Sequence, residues 1–369
     1  MTRTMDFLGR RDRLRHAIEQ EAGSALLVTN FINVRYLTGF TGEDSYLIVH
    51  REGDLLVSDP RYEVQIAEEC PGLDTFIRSP HETLLDATTH QLQSASWSDV
   101  LVEGSTIGLE AFEQLKVNLP AVRWGQSRGL VEHLRVIKDA DEILATRRAV
   151  EIAERVFTSV RATLRSTLTE WDIATEIERL SRLLGGSGTA FKPIVAVGSR
   201  SALPHAVPGN STVGSAAFLL IDWGVATEGY RSDLTRVLTT GNIPPKFREI
   251  YRVVLEAQQV AINQLRPGIM VSEVDRAARA VIEACDMGPQ FNHGLGHGIG
   301  LEIHEAPRLG RKPDRPLEVG MIVTVEPGIY FPGFGGVRIE DDVLITADGH
   351  EVLSTLPRSL EENRVELLA

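Results

Sequence analysis

The segments AFLLIDWGVATEGYRSDLTRVLTTG (residues 217–241) and MIVTVEPGIYFPGFGGVRIEDDVLITADG (residues 321–349) look like two copies of one structural unit. Each begins with an apolar run that ends in a carboxylate, and a glycine follows two residues later. Each then reaches a second carboxylate four residues after another glycine. The four carboxylates are Asp222 and Asp233 in the first copy and Glu326 and Glu340 in the second. Such a repeat predicts a duplicated α/β half whose copies face each other, which would bring these carboxylates together.

Two environments are open to these carboxylates. Each could be separately solvated at the end of its strand, as acidic side chains commonly are. However, Asp222 follows four apolar residues, and Glu326 lies between Val325 and Pro327, so both should emerge from buried strands. Converging carboxylates in a partly buried site need a counter-charge. Two divalent cations would supply about four positive charges and balance the set.

A glycine-rich segment supplies candidate nitrogen ligands. The histidines of FNHGLGHGIGLEIHEAP (residues 291–307) are His293, His297 and His304. A helical zinc motif would need glutamate directly after the first histidine, where Gly294 stands, and the glycines favour strands and turns. Any one of these residues could be an ordinary core or surface histidine, but three beside four carboxylates indicate a functional site. His205 lies in a proline-stiffened loop, ALPHAVP, and could face the same cleft.

The remaining pattern predicts two domains that meet near residue 135. Before that point helices and short strands alternate, which predicts an α/β domain over residues 1–134. A long amphipathic helix, capped by Asp139 or Asp141, then opens a second domain over residues 135–369. The other predicted elements are helices over 10–21, 62–70, 170–184 and 247–265 and strands at 25–28, 36–37, 46–49 and 55–57.

Composition excludes several classes of protein. The 369 residues are 43% hydrophobic and 24% charged, which are globular values. The net charge of −13 argues against a nucleic-acid partner. No apolar run approaches the ~18 residues of a membrane helix, and the first residues lack a signal-peptide core. We therefore expect a cytoplasmic protein without a membrane partner, with Cys70 and Cys285 as unpaired thiols.

A series of motifs resembles the Xaa-Pro metallopeptidases, aminopeptidase P and prolidase, in the order of that family. The motifs are NVRYLTGFTG, SDPRY, LRVIKDADEI, LPHA, IDWG, SDLTR, HGLGHGIGLEIHEAP, TVEPGIY and GGVRIEDD. The resemblance covers nearly the whole chain. It implies an α/β N-terminal domain like that of creatinase and prolidase. It also implies an α+β pita-bread catalytic domain with an internal pseudo-two-fold repeat.

The same resemblance implies a dinuclear metal site. By position, Asp233 and Glu340 would bridge two divalent ions, Asp222 would hold one of them, and His297 with Glu326 would complete the other. A hydroxide between the ions would be the nucleophile, and its proton would pass through Glu326. One imidazole and four carboxylates form an oxygen-rich set that suits Mn²⁺, and Co²⁺ or Zn²⁺ would also bind.

Further residues gain roles by the same resemblance. His304 would act in catalysis by steadying the tetrahedral intermediate. His205 would also take part in catalysis, and His205, His293 and His304 would contact the substrate. Arg338, behind the metal ligands, would orient the bridging Glu340. The chain departs from the family pattern at Trp223, where phenylalanine is common, at Leu295, where a small hydroxyl residue is more usual, and at Glu43-Asp44, which make the GFTG loop more negative. These departures predict an altered substrate pocket, which leaves the preference for proline open, and they leave the metal set intact.

The function implied is removal of the N-terminal residue from small peptides at Xaa-Pro bonds, as in aminopeptidase P. Two alternatives remain open, a prolidase-type Xaa-Pro dipeptidase and an aminopeptidase of broader specificity. A metal-free, creatinase-like enzyme conflicts with the complete ligand set, as does a non-catalytic binding protein. Methionine aminopeptidase normally lacks an N-terminal domain of ~130 residues. The resemblance also implies a homodimer or higher homo-oligomer, with the N-terminal domain serving association and the substrate cleft.

Overall fold

The computed structural model describes residues 5–95, 97–312 and 314–368 of the chain. The chain divides into two units, Met1–Arg135 and Val136–Ala369. Among the described residues, no helix combines the length and the apolar character needed to cross a membrane.

The first unit alternates helices and strands around one sheet. Its elements are α1 (Phe7–Gln20), β1 (Ala25–Val28), α2 (Phe31–Thr38), β2 (Ser45–His50), β3 (Gly53–Ser58), α3 (Glu63–Glu69), β4 (Asp74–Ile77), α4 (Leu84–Ala95), β5 (Asp99–Glu103), α5 (Leu109–Asn118), β6 (Arg123–Ser127) and α6 (Leu130–Arg135). The strand order is β4-β3-β2-β1-β5-β6. The strands β1, β5 and β6 run parallel, and β2 is antiparallel to both of its neighbours. This mixed sheet agrees with the predicted α/β class.

One predicted strand of this unit is wrong. The run Tyr36–Leu37 lies inside α2. The helix begins where the Asn30 side chain accepts a hydrogen bond from the Ile32 amide at 2.9 Å, and it ends at Gly39, whose φ of 84° only glycine adopts readily. Two apolar residues in succession carry no period, so the caps decided the conformation.

The second unit holds both copies of the repeat. Its elements are α7 (Ala140–Ala162), α8 (Glu170–Leu183), β7 (Gly188–Thr189), β8 (Ile194–Val197), β9 (Phe218–Trp223), β10 (Val225–Thr227), β11 (Tyr230–Arg231), β12 (Leu234–Thr239), α9 (Pro245–Gln264), α10 (Val271–Glu283), β13 (Gly296–Gly298), β14 (Glu305–Leu309), β15 (Ile322–Val325), β16 (Gly328–Phe331), β17 (Gly335–Arg338), β18 (Asp341–Thr346) and β19 (Gly349–Val352). Asp139 is the residue that caps α7, because its carboxylate accepts from the Asp141 and Glu142 amides at 3.0 Å.

The two copies have the same topology. In the first, β9 pairs antiparallel with β12, and the short strands β10 and β11 form a hairpin between them. In the second, β15 pairs antiparallel with β18, and β16 and β17 form the equivalent hairpin. The copies join where the Glu340 amide donates to the Thr235 carbonyl at 3.2 Å. The predicted internal repeat is therefore confirmed.

Strand β9 is buried on both faces, and this decides where its side chains point. Ile221 and Trp223 lie in the core that α7 and α8 cover. Leu220 faces the other way, into the core that α9 and α10 cover. Because side chains alternate along a strand, Asp222 points to the same side as Leu220.

Candidate metal centre

The four carboxylates occupy equivalent ends of strands in the two copies. Asp222 is the penultimate residue of β9, and Asp233 directly precedes β12. In the second copy Glu326 directly follows β15, and Glu340 directly precedes β18. All are buried except Glu326, whose side chain is 18% exposed. The fold thus brings together the four residues that the sequence placed in two separate segments.

His297 joins this cluster from β13, the strand next to β15. Its Nε2 lies 3.6 Å from Asp233 Oδ2 and 3.4 Å from Glu326 Oε1. Its Nδ1 lies 2.9 Å from the Gly298 carbonyl, which can only accept a hydrogen bond, so Nδ1 carries the hydrogen and donates. Burial lowers the pKa of His297 to about 4. The imidazole is therefore neutral, with the lone pair of Nε2 directed at the carboxylates, as a metal ligand requires.

Three of these residues satisfy a geometric condition for a metal site. Ligand atoms of Asp233, His297 and Glu340 all lie within 4.8 Å of one another. In addition, Asp222 Oδ1 is buried and has no hydrogen-bond partner among the residues that the structure describes. A buried acceptor of this kind costs free energy unless a cation or a donor meets it. The residues present therefore fit divalent cations.

The pKa values of the four carboxylates also indicate that the site lacks a positive charge to balance them. Burial raises the pKa of Asp233 and of Glu340 well above the usual values, and repulsion between the carboxylates raises both further. Burial also raises the pKa of Glu326 to about 8. For Asp222 burial raises the pKa, whereas the positive charge of Arg338 lowers it. A bound cation would favour the ionised form of every member of the cluster.

Arg338 contacts a different carboxylate from the one that the resemblance implied. Its Nη2 donates to Asp222 Oδ2 at 2.5 Å, and its Nε donates to the Thr235 hydroxyl at 3.2 Å. Thr235 in turn donates to Glu340 Oε2 at 2.6 Å. The residue that orients Glu340 by direct contact is thus Thr235, and Arg338 acts on Glu340 through that hydroxyl.

The other histidines surround the cluster. His304 is exposed, and its ring lies 4.4 Å from that of His297, nearly perpendicular to it. His205 is also exposed, and the carbonyl of the preceding Pro204 lies 3.3 Å from Arg338 Nη2, so its loop lies in the same neighbourhood.

His293 is bonded to the protein at both ring nitrogens. Nδ1 lies 2.7 Å from the Gly294 carbonyl and Nε2 lies 3.1 Å from the Tyr330 hydroxyl. Burial lowers the pKa of His293 to about 4, so the ring is neutral. Both ring nitrogens are therefore engaged within the protein, and the ring is held in one orientation.

Three polar side chains that shape the site were not predicted. Tyr330 accepts from Arg338 Nη1 at 2.7 Å. Thr324 accepts from the His297 amide at 3.0 Å, and its hydroxyl lies 3.3 Å from Glu326 Oε1. Thr235 is the third. All three lie within the motifs TVEPGIY and SDLTR, but hydroxyl residues in strands carry no signal that separates them from ordinary packing.

Two residues that depart from the family pattern, Trp223 and Leu295, have side chains buried in the cores of the second unit. Trp223 is fully buried, stacks on Phe157 at 4.5 Å and donates to the Ala153 carbonyl at 3.0 Å. Leu295 is fully buried in the other core, and its carbonyl accepts from the Glu326 amide at 2.8 Å. Both side chains are core residues, and their influence on the substrate pocket stays a prediction.

Comparison with known proteins gives matches over both units. Residues 145–347 match the model of metallopeptidase family M24, and residues 10–137 match that of the creatinase/prolidase N-terminal domain. The uncharacterized peptidase YqhT of Bacillus subtilis (strain 168) is 33% identical over 349 residues, which cover 95% of this chain and 98% of that protein.

Solved structures agree with these matches. The Xaa-Pro dipeptidase from Bacillus anthracis has a TM-score of 0.92 at 35% identity and covers 96% of this chain and 99% of its own. The X-Pro aminopeptidase from Thermotoga maritima MSB8 has a TM-score of 0.87 at 33% identity, with coverage of 95% and 99%. Both domains of the predicted fold, including the pita-bread repeat, are thereby confirmed.

Proposed function

The chain belongs to metallopeptidase family M24, and from that premise we propose that it removes the N-terminal residue from short peptides at Xaa-Pro bonds. The observation that carries the proposal is the convergence of Asp233, His297 and Glu340 within 4.8 Å, with Asp222 and Glu326 beside them. Enzymes of this family use divalent metals. We further propose that these five side chains hold two ions per subunit, most favourably Mn²⁺, with Co²⁺ or Zn²⁺ as substitutes.

Divalent ions held there would supply Lewis-acid activation of water and of the peptide carbonyl. Glu326 is the carboxylate best placed to accept and return a proton, since it is the most exposed of the four and its Oε1 lies 3.4 Å from His297 Nε2. His304, exposed beside His297, would donate to the oxygen of the tetrahedral intermediate. His205 and His293 would contact the substrate on its other sides.

A second candidate, dipeptidase action, is favoured by Arg308. This residue is directly opposite His297 in the antiparallel pair of β13 and β14, and it is exposed. Its positive charge lowers the pKa of His297 and of His304, so it lies beside the cleft. A guanidinium there would bind the C-terminal carboxylate that a dipeptide places next to the cleaved bond.

The test is hydrolysis of matched di- and tripeptides, with proline or alanine in the second position, by the metal-reconstituted enzyme. Cleavage of the proline tripeptides supports aminopeptidase P action, and cleavage of dipeptides alone supports the second candidate. Equal rates on alanine peptides would contradict the requirement for proline. Chelation should abolish the activity and Mn²⁺ or Co²⁺ should restore it.

Arg308→Gln separates the two candidates further. If Arg308 binds a free carboxylate, this variant should lose more kcat/KM on dipeptides than on tripeptides. Arg311→Gln is a matched control, since Arg311 is also exposed and lies only three residues away. An equal loss on both peptide lengths would contradict the carboxylate-binding role.

The assembly and the role of the first unit complete the proposal. We expect a homodimer or higher homo-oligomer, and a strict monomer in light scattering at micromolar concentration would contradict this. We also expect that a fragment beginning at residue 136 loses peptide specificity or activity. The cytoplasmic location stays a prediction, which cell fractionation would test.

A further inference from the structure

The segment that presents His205 is a closed loop, which we call the His205 loop and define as residues 198–209. It follows β8 and begins with a single 3-10 turn, Gly198–Ala202. Its middle is solvated, since Leu203, His205 and Val207 are all exposed. A solvated loop of this length holds one imidazole in place only if its ends and its interior are fixed by other contacts.

Glu170, the first residue of α8, joins the two ends of the loop. Its Oε1 accepts from the Val197 amide at 2.7 Å, directly before the loop. Its Oε2 accepts from the Gly209 amide at 2.8 Å, at the end of the loop. The carboxylate is completely buried, with 0% of the side chain exposed. A buried carboxylate in a catalytic domain normally has a partner of opposite charge, and here that partner is in the loop itself.

Arg200 is that partner. Its Nε lies 2.9 Å from both oxygens of Glu170, and its Nη2 donates to the Val207 carbonyl at 2.6 Å. The guanidinium therefore connects the Glu170 carboxylate, at the two ends of the loop, with Val207, in the segment that follows His205. One buried carboxylate and one arginine thus fix the loop before, within and after the histidine.

The opposite side of the loop is attached to the second copy of the repeat. The Gly336 amide donates to Ser201 Oγ at 2.8 Å. Arg338 Nη2, besides its bond to Asp222, lies 3.3 Å from the Pro204 carbonyl. These contacts attach the middle of the loop to the second copy. At the ends of the loop, the Glu170 carboxylate binds both the Val197 and the Gly209 amides, and the Trp171 amide also donates to the Gly209 carbonyl at 3.2 Å.

We propose that Glu170 is a positioning residue that fixes His205 over the metal centre. The inference rests on the proposed function, in which His205 contacts the substrate. Glutamine in place of Glu170 has nearly the same shape but only one acceptor oxygen. Its amide nitrogen would face either the Val197 or the Gly209 amide, donor against donor, and the charge opposite Arg200 would be lost.

The test compares Glu170→Gln with Glu176→Gln, a control on the same helix whose ion pair with Arg179 is solvent-exposed. Hydrogen exchange followed by mass spectrometry should show faster exchange over residues 197–209 in Glu170→Gln alone. On the peptides that the wild type cleaves, kcat/KM should fall about 10²-fold, as expected when a contact group is displaced by about 1 Å. Metal content should not change.

A double-mutant cycle shows whether the effect passes through His205. In a His205→Ala background, Glu170→Gln should cause little further loss of kcat/KM, because the imidazole that it positions is already absent. An equal loss in both backgrounds would overturn the inference, and so would unchanged exchange over residues 197–209. Arg200→Met gives the same test if Glu170→Gln does not fold, since Arg200 is one third exposed. If the wild type cleaves no Xaa-Pro peptide, the proposed function is refuted. Faster exchange over residues 197–209 in Glu170→Gln would then still show that Glu170 fixes the loop.

Discussion

The guanidinium of Arg338 and the carboxylate of Asp222 form a buried ion pair with an N–O distance of 2.5 Å. Arg338 occupies Oδ2 of this carboxylate, whereas Oδ1 has no protein hydrogen bond within the described part of the chain. The two oxygens therefore differ: Oδ2 is held by Arg338, and Oδ1 is available to a cation. The same division holds at Glu340, where Thr235 takes Oε2. Protein donors thus orient these two carboxylates through one oxygen of each, Asp222 Oδ2 and Glu340 Oε2.

Arg338→Lys should therefore weaken metal binding even though it keeps the charge. An ammonium cannot reach Asp222, Tyr330 and the Thr235 hydroxyl at once in place of the planar guanidinium. Loss of such outer contacts typically costs about 10- to 100-fold in metal affinity or activity. Metal titration by calorimetry measures this directly. If the lysine variant keeps the wild-type metal affinity and rate of hydrolysis, the planar geometry of the guanidinium is unimportant.

Asp233→Asn should abolish most activity and yet stabilise the metal-free protein. Burial and the neighbouring carboxylates raise the pKa of Asp233 well above its usual value, so the apoprotein folds against this repulsion. Thermal unfolding in chelator should give a higher Tm than for the wild type, whereas the rise in Tm on adding Mn²⁺ should be smaller. Asp348→Asn, in an exposed turn, serves as the control. A lower apoprotein Tm for Asp233→Asn would contradict the repulsion.

The stability of the metal-free protein should fall as the pH rises from about 4.5 to about 8. Burial raises the pKa of Glu326 from 4.5 to about 8, so in this window the folded protein binds more protons than the unfolded chain. Its contribution to stability is complete below the unfolded pKa and is lost as pH rises through the folded one. Unfolding in chelator at pH 5, 6.5 and 8 measures the slope. Glu326→Gln should flatten it, and an unchanged slope would count against this carboxyl.

His297 and His304 should separate in their effects although they look alike in the sequence. His297→Ala removes the imidazole whose Nε2 faces Asp233 and Glu326, so metal content should fall. His304→Ala, in the exposed neighbouring ring, should keep both metals and lower kcat by about 10²- to 10³-fold. Metal analysis beside kinetics on both variants measures the difference. If His304→Ala loses metal to the same extent, the assignment of the two roles is wrong.

Trp223→Phe should reduce stability and leave catalysis nearly unchanged. The indole stacks on Phe157 and donates to the Ala153 carbonyl, in the core on the opposite face of β9 from Asp222. Losing that hydrogen bond and part of the ring should lower the free energy of unfolding by about 1 to 3 kcal/mol. Denaturant unfolding measures this loss. A large change in KM for proline peptides would show that Trp223 does influence the pocket.

The sequence by itself determined the repeat, the two-domain architecture and the five side chains that converge at the centre. Asp222 and Glu326 could be singled out because each follows an apolar strand and precedes a glycine at the same spacing. That periodic signal is local, so it survives without coordinates. The same applies to the cap at Asp139, although the choice between Asp139 and Asp141 needed the structure. The prediction from periodicity failed at Tyr36–Leu37, because a run of two apolar residues is too short to show a period.

Only the tertiary structure decided which groups hold the centre in place. Thr235 orients Glu340 across 105 residues of sequence separation, and Glu170 reaches Gly209 across 39. The choice of Asp222 rather than Glu340 as the partner of Arg338 likewise depends on how two sheets meet. Hydrogen bonds act over about 3 Å and require direction, whereas sequence patterns report only which face of an element is apolar. For that reason the converging carboxylates and His297 could be predicted from the sequence, as could Arg338 as an orienting residue, whereas the carboxylate that Arg338 contacts and the role of Thr235 could not.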